Sequence, residues 1–218
     1  MVSAEGKPER GSELEIRAAA ALFDMDGTLI DSTAVVEALW HQFCREYDVD
    51  PEALLAFAHG RPTRQTLEQF LPGQSADQRE AVAVDLDSRE IATMDGIVEI
   101  PGARTLLEAI EVPWAVVTSA PRELAVRRMA AAGLPSPEVL VPADEITHGK
   151  PAPDGYLRAA DLLGVDVSAC VVLEDAGPGV LAGLAAGARV LVVGDLESDA
   201  TTGLTRVPDL TGITVRPG

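Results

Sequence analysis

Two cysteines are all that this 218-residue chain contains. Cys44 falls in a helical stretch and Cys170 in an apolar one, which excludes a disulfide framework and suits the reducing cytoplasm. Both thiols read as small buried hydrophobes. Histidine is nearly as scarce, and no Cys or His group has the spacing of a zinc site. Basic residues are few: 17 Lys and Arg against 35 Asp and Glu leave a formal net charge of −18. A broad nucleic-acid surface needs a basic stripe, so that class of partner is excluded. An anionic substrate is not, because a few local cations and a bound metal reverse the field inside one cleft. No apolar run approaches the roughly 20 residues of a membrane helix. The opening MVSAEGKPERGSELE is mixed in charge, and the short apolar run behind it ends in Asp24, unlike a signal peptide. Internal repeats and low-complexity tracts are also missing.

What is present is an apolar fraction of 47 %, enough for a real core in one large domain or a core with a smaller insert. Residues 1 to about 14 are expected to be a mobile tail. The organising stretch is Ala18–Ser32, AAAALFDMDGTLIDS. Its apolar run reads as a buried strand ending in Asp24, with Asp26 two residues on and then Gly27 and Thr28. Residues two apart leave an extended chain on the same side, so two carboxylates would face one small space. Such closeness is costly without a proton or cation between them.

Residues 33–47, 51–57, 62–71 and 75–94 carry helical periodicity, with Ser75 or Asp77 as caps for the last. No strand is expected between 33 and 96, and the stripe Val36, Leu39, Trp40, Phe43 reads as the core of this helical block. Beyond Pro101–Gly102 the rhythm alternates. Strands are expected at 114–118, 138–141, 170–174 and 189–193, separated by helices, with a last turn or strand within 204–218. This pattern predicts an α/β fold: a parallel five-stranded sheet with helices on both faces and residues 33–96 inserted after its first strand.

Ligands of such sheets gather at the carboxyl ends of the strands. There stand Asp24 and Asp26, then Thr118 and Ser119, then Glu174 and Asp175, while Lys150 precedes two prolines in a stiffened loop. Oxygen ligands of this kind suit a hard cation, Mg²⁺. Mg²⁺, hydroxyls and a lysine together suit a phosphate group, which Asp24 could attack while Asp26 moves the proton.

The segments DMDGTLIDS, VVTSA, GKPAPDGY and LEDAGPGV resemble, in order and spacing, the four motifs of the haloacid dehalogenase superfamily over about residues 18–195. The resemblance implies a Rossmann-like core at 15–32 and 97–218 and an all-helical cap domain at 33–96. It implies Asp24 as the nucleophile that becomes an aspartyl phosphate. Asp26 would be the general acid and base, its backbone carbonyl a metal ligand. Thr118 and Ser119 would hold phosphoryl oxygens, and Lys150 would neutralise them. Asp175 would complete the Mg²⁺ site with Glu174 beside it, and Thr28 would support the loop and the phosphate site. Dehalogenases lack the second aspartate, so Asp26 favours phosphoryl chemistry. The phosphomutase branch carries a cap histidine where this chain has Val36. The loop His59-Gly60-Arg61-Pro62-Thr63 resembles the substrate loop of glycerol-3-phosphatases and 2-deoxyglucose-6-phosphatases, and Arg122 is a further candidate for substrate contact. His41 and His148 are expected to have no chemical part.

The expected activity is therefore Mg²⁺-dependent hydrolysis of a small phosphorylated metabolite, a sugar or polyol phosphate, by a cytoplasmic monomer or weak homodimer without nucleic-acid or membrane partners. A β-phosphoglucomutase-like mutase and a non-catalytic phosphate-binding regulatory domain are the alternatives.

Overall fold

Four-residue apolar runs closed by a polar residue, such as AALFD and WAVVT, are too short for helices and too apolar for a half-exposed surface. In the computed structural model, which describes residues 13–58 and 61–218, they form the centre of a parallel sheet. Its strands are β2 (Ala20–Phe23), β5 (Trp114–Val117), β6 (Val139–Val141), β7 (Cys170–Glu174), β8 (Arg189–Val193) and β9 (Thr205–Val207). They lie in the order β6-β5-β2-β7-β8-β9, so the sheet has 6 strands, one more than the periodicity predicts. The extra strand, β9, comes from the tail that was expected to hold a turn or strand.

Alternation along β2 shows how the sheet is buried on both faces. Ala21 and Phe23 join one apolar cluster, with Leu106, Leu107, Leu124 and Met129 from α5 (Ala103–Ala109) and α6 (Arg122–Ala131). Ala20 and Leu22 join the other, with Tyr156, Ala159, Val180 and Ala182 from α7 (Asp154–Leu163) and α8 (Gly177–Ala186). Complete burial of one such Leu or Phe contributes about 1.5–3 kcal/mol, so the two faces together hold the strand ends in fixed positions.

Between the first and second central strands lie α1 (Thr33–Tyr47), α2 (Pro51–Ala58), α3 (Thr63–Phe70) and α4 (Ala76–Ala92). Ser75 caps α4 by accepting from the Gln78 amide, while the Gln78 side chain returns to the Ser75 amide. Trp40, Phe43, Leu54, Leu67 and Leu86 make a third apolar cluster inside this block. The stripe on α1 divides, however: Leu39 packs with the cluster of the main sheet instead. The two chain connections to the block run side by side as β3 (Ile30–Asp31) and β4 (Val98–Glu99), paired antiparallel.

Leu14, assigned to a mobile tail by its surroundings, begins β1 (Leu14–Ala18), which pairs in parallel with β10 (Ile213–Pro217). The remainder of that expected tail, residues 1–12, lies outside the described residues. β1 alternates polar and apolar because only one side is covered, and its partner lies about 200 residues away in sequence. A local reading has no access to that pairing. Among the described residues no helix is long and apolar enough to cross a membrane.

Candidate active site

The carboxyl ends of β2, β5 and β7 open into a cavity of about 590 Å³ whose opposite wall comes from α1 and α2. Asp24, Asp26, Thr118, Ser119, Lys150, Glu174 and Asp175 all line it. Val36, Trp40, Phe57 and Arg61 face them from the helical block. Met25, between the two aspartates, turns the other way into the main core, so the pair does share one side.

At the cavity floor is a buried lysine with every proton assigned. Lys150 Nζ donates to Asp24 Oδ1, to Glu174 Oε1 at 2.5 Å and to the Val117 carbonyl at 3.2 Å. Burial pulls its pKa down, but Asp24 and Glu174 outweigh that, and the net displacement is upward. Glu174 in turn accepts from the Tyr156 hydroxyl at 2.8 Å on Oε1 and from the Asp175 and Ala176 amides on Oε2. Burial raises the Asp24 carboxyl well above the usual range; Lys150 opposes this, and Glu174 and Asp175 add to it. Asp175 is pushed up to about 7, first by burial and then by Glu174, against Lys150 and Thr28.

Asp24, Glu174 and Asp175 each bring a carboxylate oxygen within 4.8 Å of the others. Buried acids held this close favour protonation, and a divalent cation relieves the same repulsion, so the donor set fits a hard metal. Two glycines make the crowding possible. Gly27 has φ +91°, and a Cβ there would stand 2.0 Å from Asp175 Oδ2. At Gly179 a Cβ would stand 1.6 Å from Glu174 Oε1.

A family model for haloacid dehalogenase-like hydrolases matches residues 18–187. The chain belongs to that family. Hexitol phosphatase A of Escherichia coli is 44 % identical over 181 residues, covering 82 % of this chain and 84 % of the relative. 2-Deoxyglucose-6-phosphate phosphatase 1 of Saccharomyces cerevisiae is 34 % identical, covering 80 % of this chain and 79 % of the relative. Among solved structures, a hydrolase from Pseudomonas syringae aligns with a TM-score of 0.77 at 25 % identity, over 89 % of this chain and 94 % of that one.

Of the residues of this haloacid dehalogenase-like hydrolase singled out for the site, Thr28 and Arg122 lie outside the cavity lining. The Thr28 hydroxyl donates to Asp175 Oδ1 at 3.2 Å and so holds that carboxylate. Arg122 is also turned away. Its Nε meets Glu145 at 2.6 Å and its Nη2 the Leu140 carbonyl, because Arg122 starts α6 on the side facing β6. Glu174, expected beside the metal, has both oxygens engaged by Lys150, Tyr156 and two amides. Asp26 is outside the acidic trio and has partners of its own: Ser32 Oγ at 2.6 Å and Arg128 Nη1 at 2.9 Å, both on Oδ1. Arg61 lines the cavity with its guanidinium over the Phe57 ring, 4.5 Å from the centroid. His59 lies outside the described residues.

Arg128 and Glu90 escaped the sequence reading. The signal was there, since both interrupt apolar stripes: Leu124, Ala125, Arg128 and Met129 are buried on α6, and Ala83, Leu86 and Glu90 on α4. Arg128 Nη2 donates to Glu90 Oε2 at 3.3 Å. Burial raises Glu90 to about 7; Arg128 opposes the rise, and Asp26 and Asp87 add to it. In the folded chain Glu90 thus keeps a proton that the unfolded chain loses near pH 4.5. Between those two values the folded state binds more protons, and stability falls as pH rises. Glu90→Gln should remove a loss on the order of 3 kcal/mol across this window. Denaturant unfolding at pH 4.5 and pH 7.5 should therefore show a smaller difference in the variant than in the parent. An equal difference would contradict the assignment.

Proposed function

We propose that the chain is a Mg²⁺-dependent phosphatase of small monoesters, with a sugar or polyol phosphate as substrate. The observation that carries this reading is Asp24, pinned on one oxygen by Lys150 and facing a cavity shared with Asp26, Thr118 and Asp175. Asp24 attacks phosphorus through its other oxygen, the ester P–O bond breaks, and Asp26 delivers a proton to the departing alkoxide. Water then attacks the phosphoryl group on Asp24, Asp26 takes its proton, and the bond to Asp24 breaks to release inorganic phosphate. Thr118 and the Ser119 amide hold phosphoryl oxygens, and Lys150 balances their charge. Asp24, Asp175 and the Asp26 carbonyl would hold Mg²⁺, which neutralises phosphoryl charge and keeps Asp24 ionised. Glu174 keeps Lys150 in place.

In this reading residues 33–96 are a cap whose closure excludes water, with Val36, Trp40 and Phe57 against the leaving group. Six carboxylates (Asp24, Asp26, Glu90, Glu174, Asp175, Asp195) and three cations (Arg61, Arg128, Lys150) line the cavity. Among the described residues Lys150 and Arg128 already have carboxylate partners, leaving Arg61 as the lining cation that could meet a second phosphate. That balance favours a neutral polyol remainder over the bisphosphate a mutase requires. The phosphatase names of the relatives support the same substrate class. Two buried, unpaired cysteines, Cys44 and Cys170, accord with a reducing cytoplasm.

The test is a panel of hexitol, hexose and glycerol phosphates, scored by released phosphate. Release should require Mg²⁺, cease with a chelator, and need no bisphosphate activator. No release from any member would end the proposal, and activation by a sugar bisphosphate would turn it toward the mutase.

A further inference from the structure

We infer that Arg128 is a positioning residue that fixes the carboxylate of Asp26, and that Glu90 fixes Arg128 from the helical block. The inference rests on the acid–base role proposed above for Asp26. Arg128 is 4 % exposed, and its guanidinium bonds to two different segments. Nη1 reaches Asp26 Oδ1, in the loop after β2, and Nη2 reaches Glu90 Oε2, near the end of α4. Nε is buried without a partner.

A stability argument does not account for this residue. An arginine on the apolar stripe of α6, with one donor orphaned, is a poorer core residue than the leucine or methionine that its neighbours Leu124 and Met129 exemplify. Its geometry has a directional consequence instead. Ser32 and Arg128 both donate to Oδ1 of Asp26, so Oδ2 is the oxygen left for the cavity. A proton donor must present its oxygen to the departing atom within a few tenths of an ångström, and two donors on the far oxygen achieve that.

The second link ties this orientation to the position of the block. Glu90 belongs to the last helix before the chain returns through β4, and α4 packs on α6. When α4 is in place, Nη2 is held, and the fork presents Nη1 to Asp26 in a defined plane. When α4 moves off, Arg128 loses that anchor and Asp26 loses its fixed orientation. Proton delivery is thereby confined to the state in which the block covers the cavity.

The test uses two esters that differ in their need for an acid: sorbitol 6-phosphate, whose alkoxide must be protonated, and p-nitrophenyl phosphate, whose phenolate leaves unaided. Arg128→Gln should lower the single-turnover rate of leaving-group release, read before the water step common to both esters, by roughly a hundredfold for sorbitol 6-phosphate and by less than about fivefold for p-nitrophenyl phosphate, with KM little changed. Arg128→Lys, which keeps the charge without the fork, should recover only part of the difference. Glu90→Ala should show the same selectivity at about tenfold; it takes away the anchor on Nη2 but not the Arg128 charge, and so serves if Arg128→Gln fails to fold. Equal losses of that first-step rate on both esters would overturn the proposal, as would a rise in KM with the first-step rate unchanged. Asp26→Asn separates the two levels. If it shows the ester selectivity and the Arg128 and Glu90 variants do not, the positioning role is wrong. If it shows none, the acid–base role itself falls and the inference with it.

Discussion

Asp24→Asn should reduce phosphate release by a factor of about 10⁴ or more while leaving the fold at least as stable as before. The amide removes the attacking oxyanion but keeps the size and the oxygen that Lys150 contacts. Burial holds the Asp24 carboxyl well above its usual range, with Lys150 opposing and Glu174 and Asp175 reinforcing, so an ionised carboxylate there is a net burden on the metal-free fold. Replacing it with a neutral isostere removes that burden. Turnover of the panel esters and thermal unfolding without metal therefore move in opposite directions. Activity that survives the substitution would exclude Asp24 as nucleophile, and a loss of activity accompanied by a collapse in Tm would show a structural role instead.

Lys150→Met should have a large effect on both quantities. Lys150 places one proton each on Asp24, Glu174 and the Val117 carbonyl, and its ammonium stands 5.4 Å from the Tyr156 ring centroid. Methionine fills the space and leaves two buried carboxylates facing one another without a counterion. Breaking a buried pair in this way costs about 3–5 kcal/mol, or roughly 10 °C in Tm for a chain of this size. The cost depends on pH with a defined sign. Without the lysine the Asp24 carboxyl, already displaced upward by burial, holds its proton to still higher pH in the folded chain, so the penalty grows as pH rises above the ordinary carboxylate value. In the parent, Lys150 itself is displaced upward and stays charged throughout the neutral range, so its contribution there is flat. Thermal unfolding at pH 5 and pH 8 should show a deficit that widens at pH 8. A deficit independent of pH would mean that lost packing, not unpaired charge, is responsible.

Local sequence carried much of this molecule. The apolar runs that became β7 and β8 keep their expected bounds, β5 ends one residue early, and Thr33–Tyr47 is helical over its whole expected length. The strand-end residues Asp24, Thr118, Glu174 and Asp175 line one cavity because a parallel sheet sends all its carboxyl ends to the same edge. Those features depend on periodicity within ten or so residues, which any short window contains.

The two neighbouring carboxylates have protein cations as well, one of them from outside the four motifs. Each aspartate has a cation of its own, Lys150 for Asp24 and Arg128 for Asp26, drawn from 126 and 102 residues away. Glu174 is committed to the lysine, and Thr28 to Asp175. Leu14 is a strand residue because Ile213 lies beside it. Residue types along the chain were sufficient to name the reaction class. Which charge neutralises which, and which helix reports its position to Asp26, depended on packing between distant segments. That information exists only once the two sides of the sheet and the helical block have closed on one another.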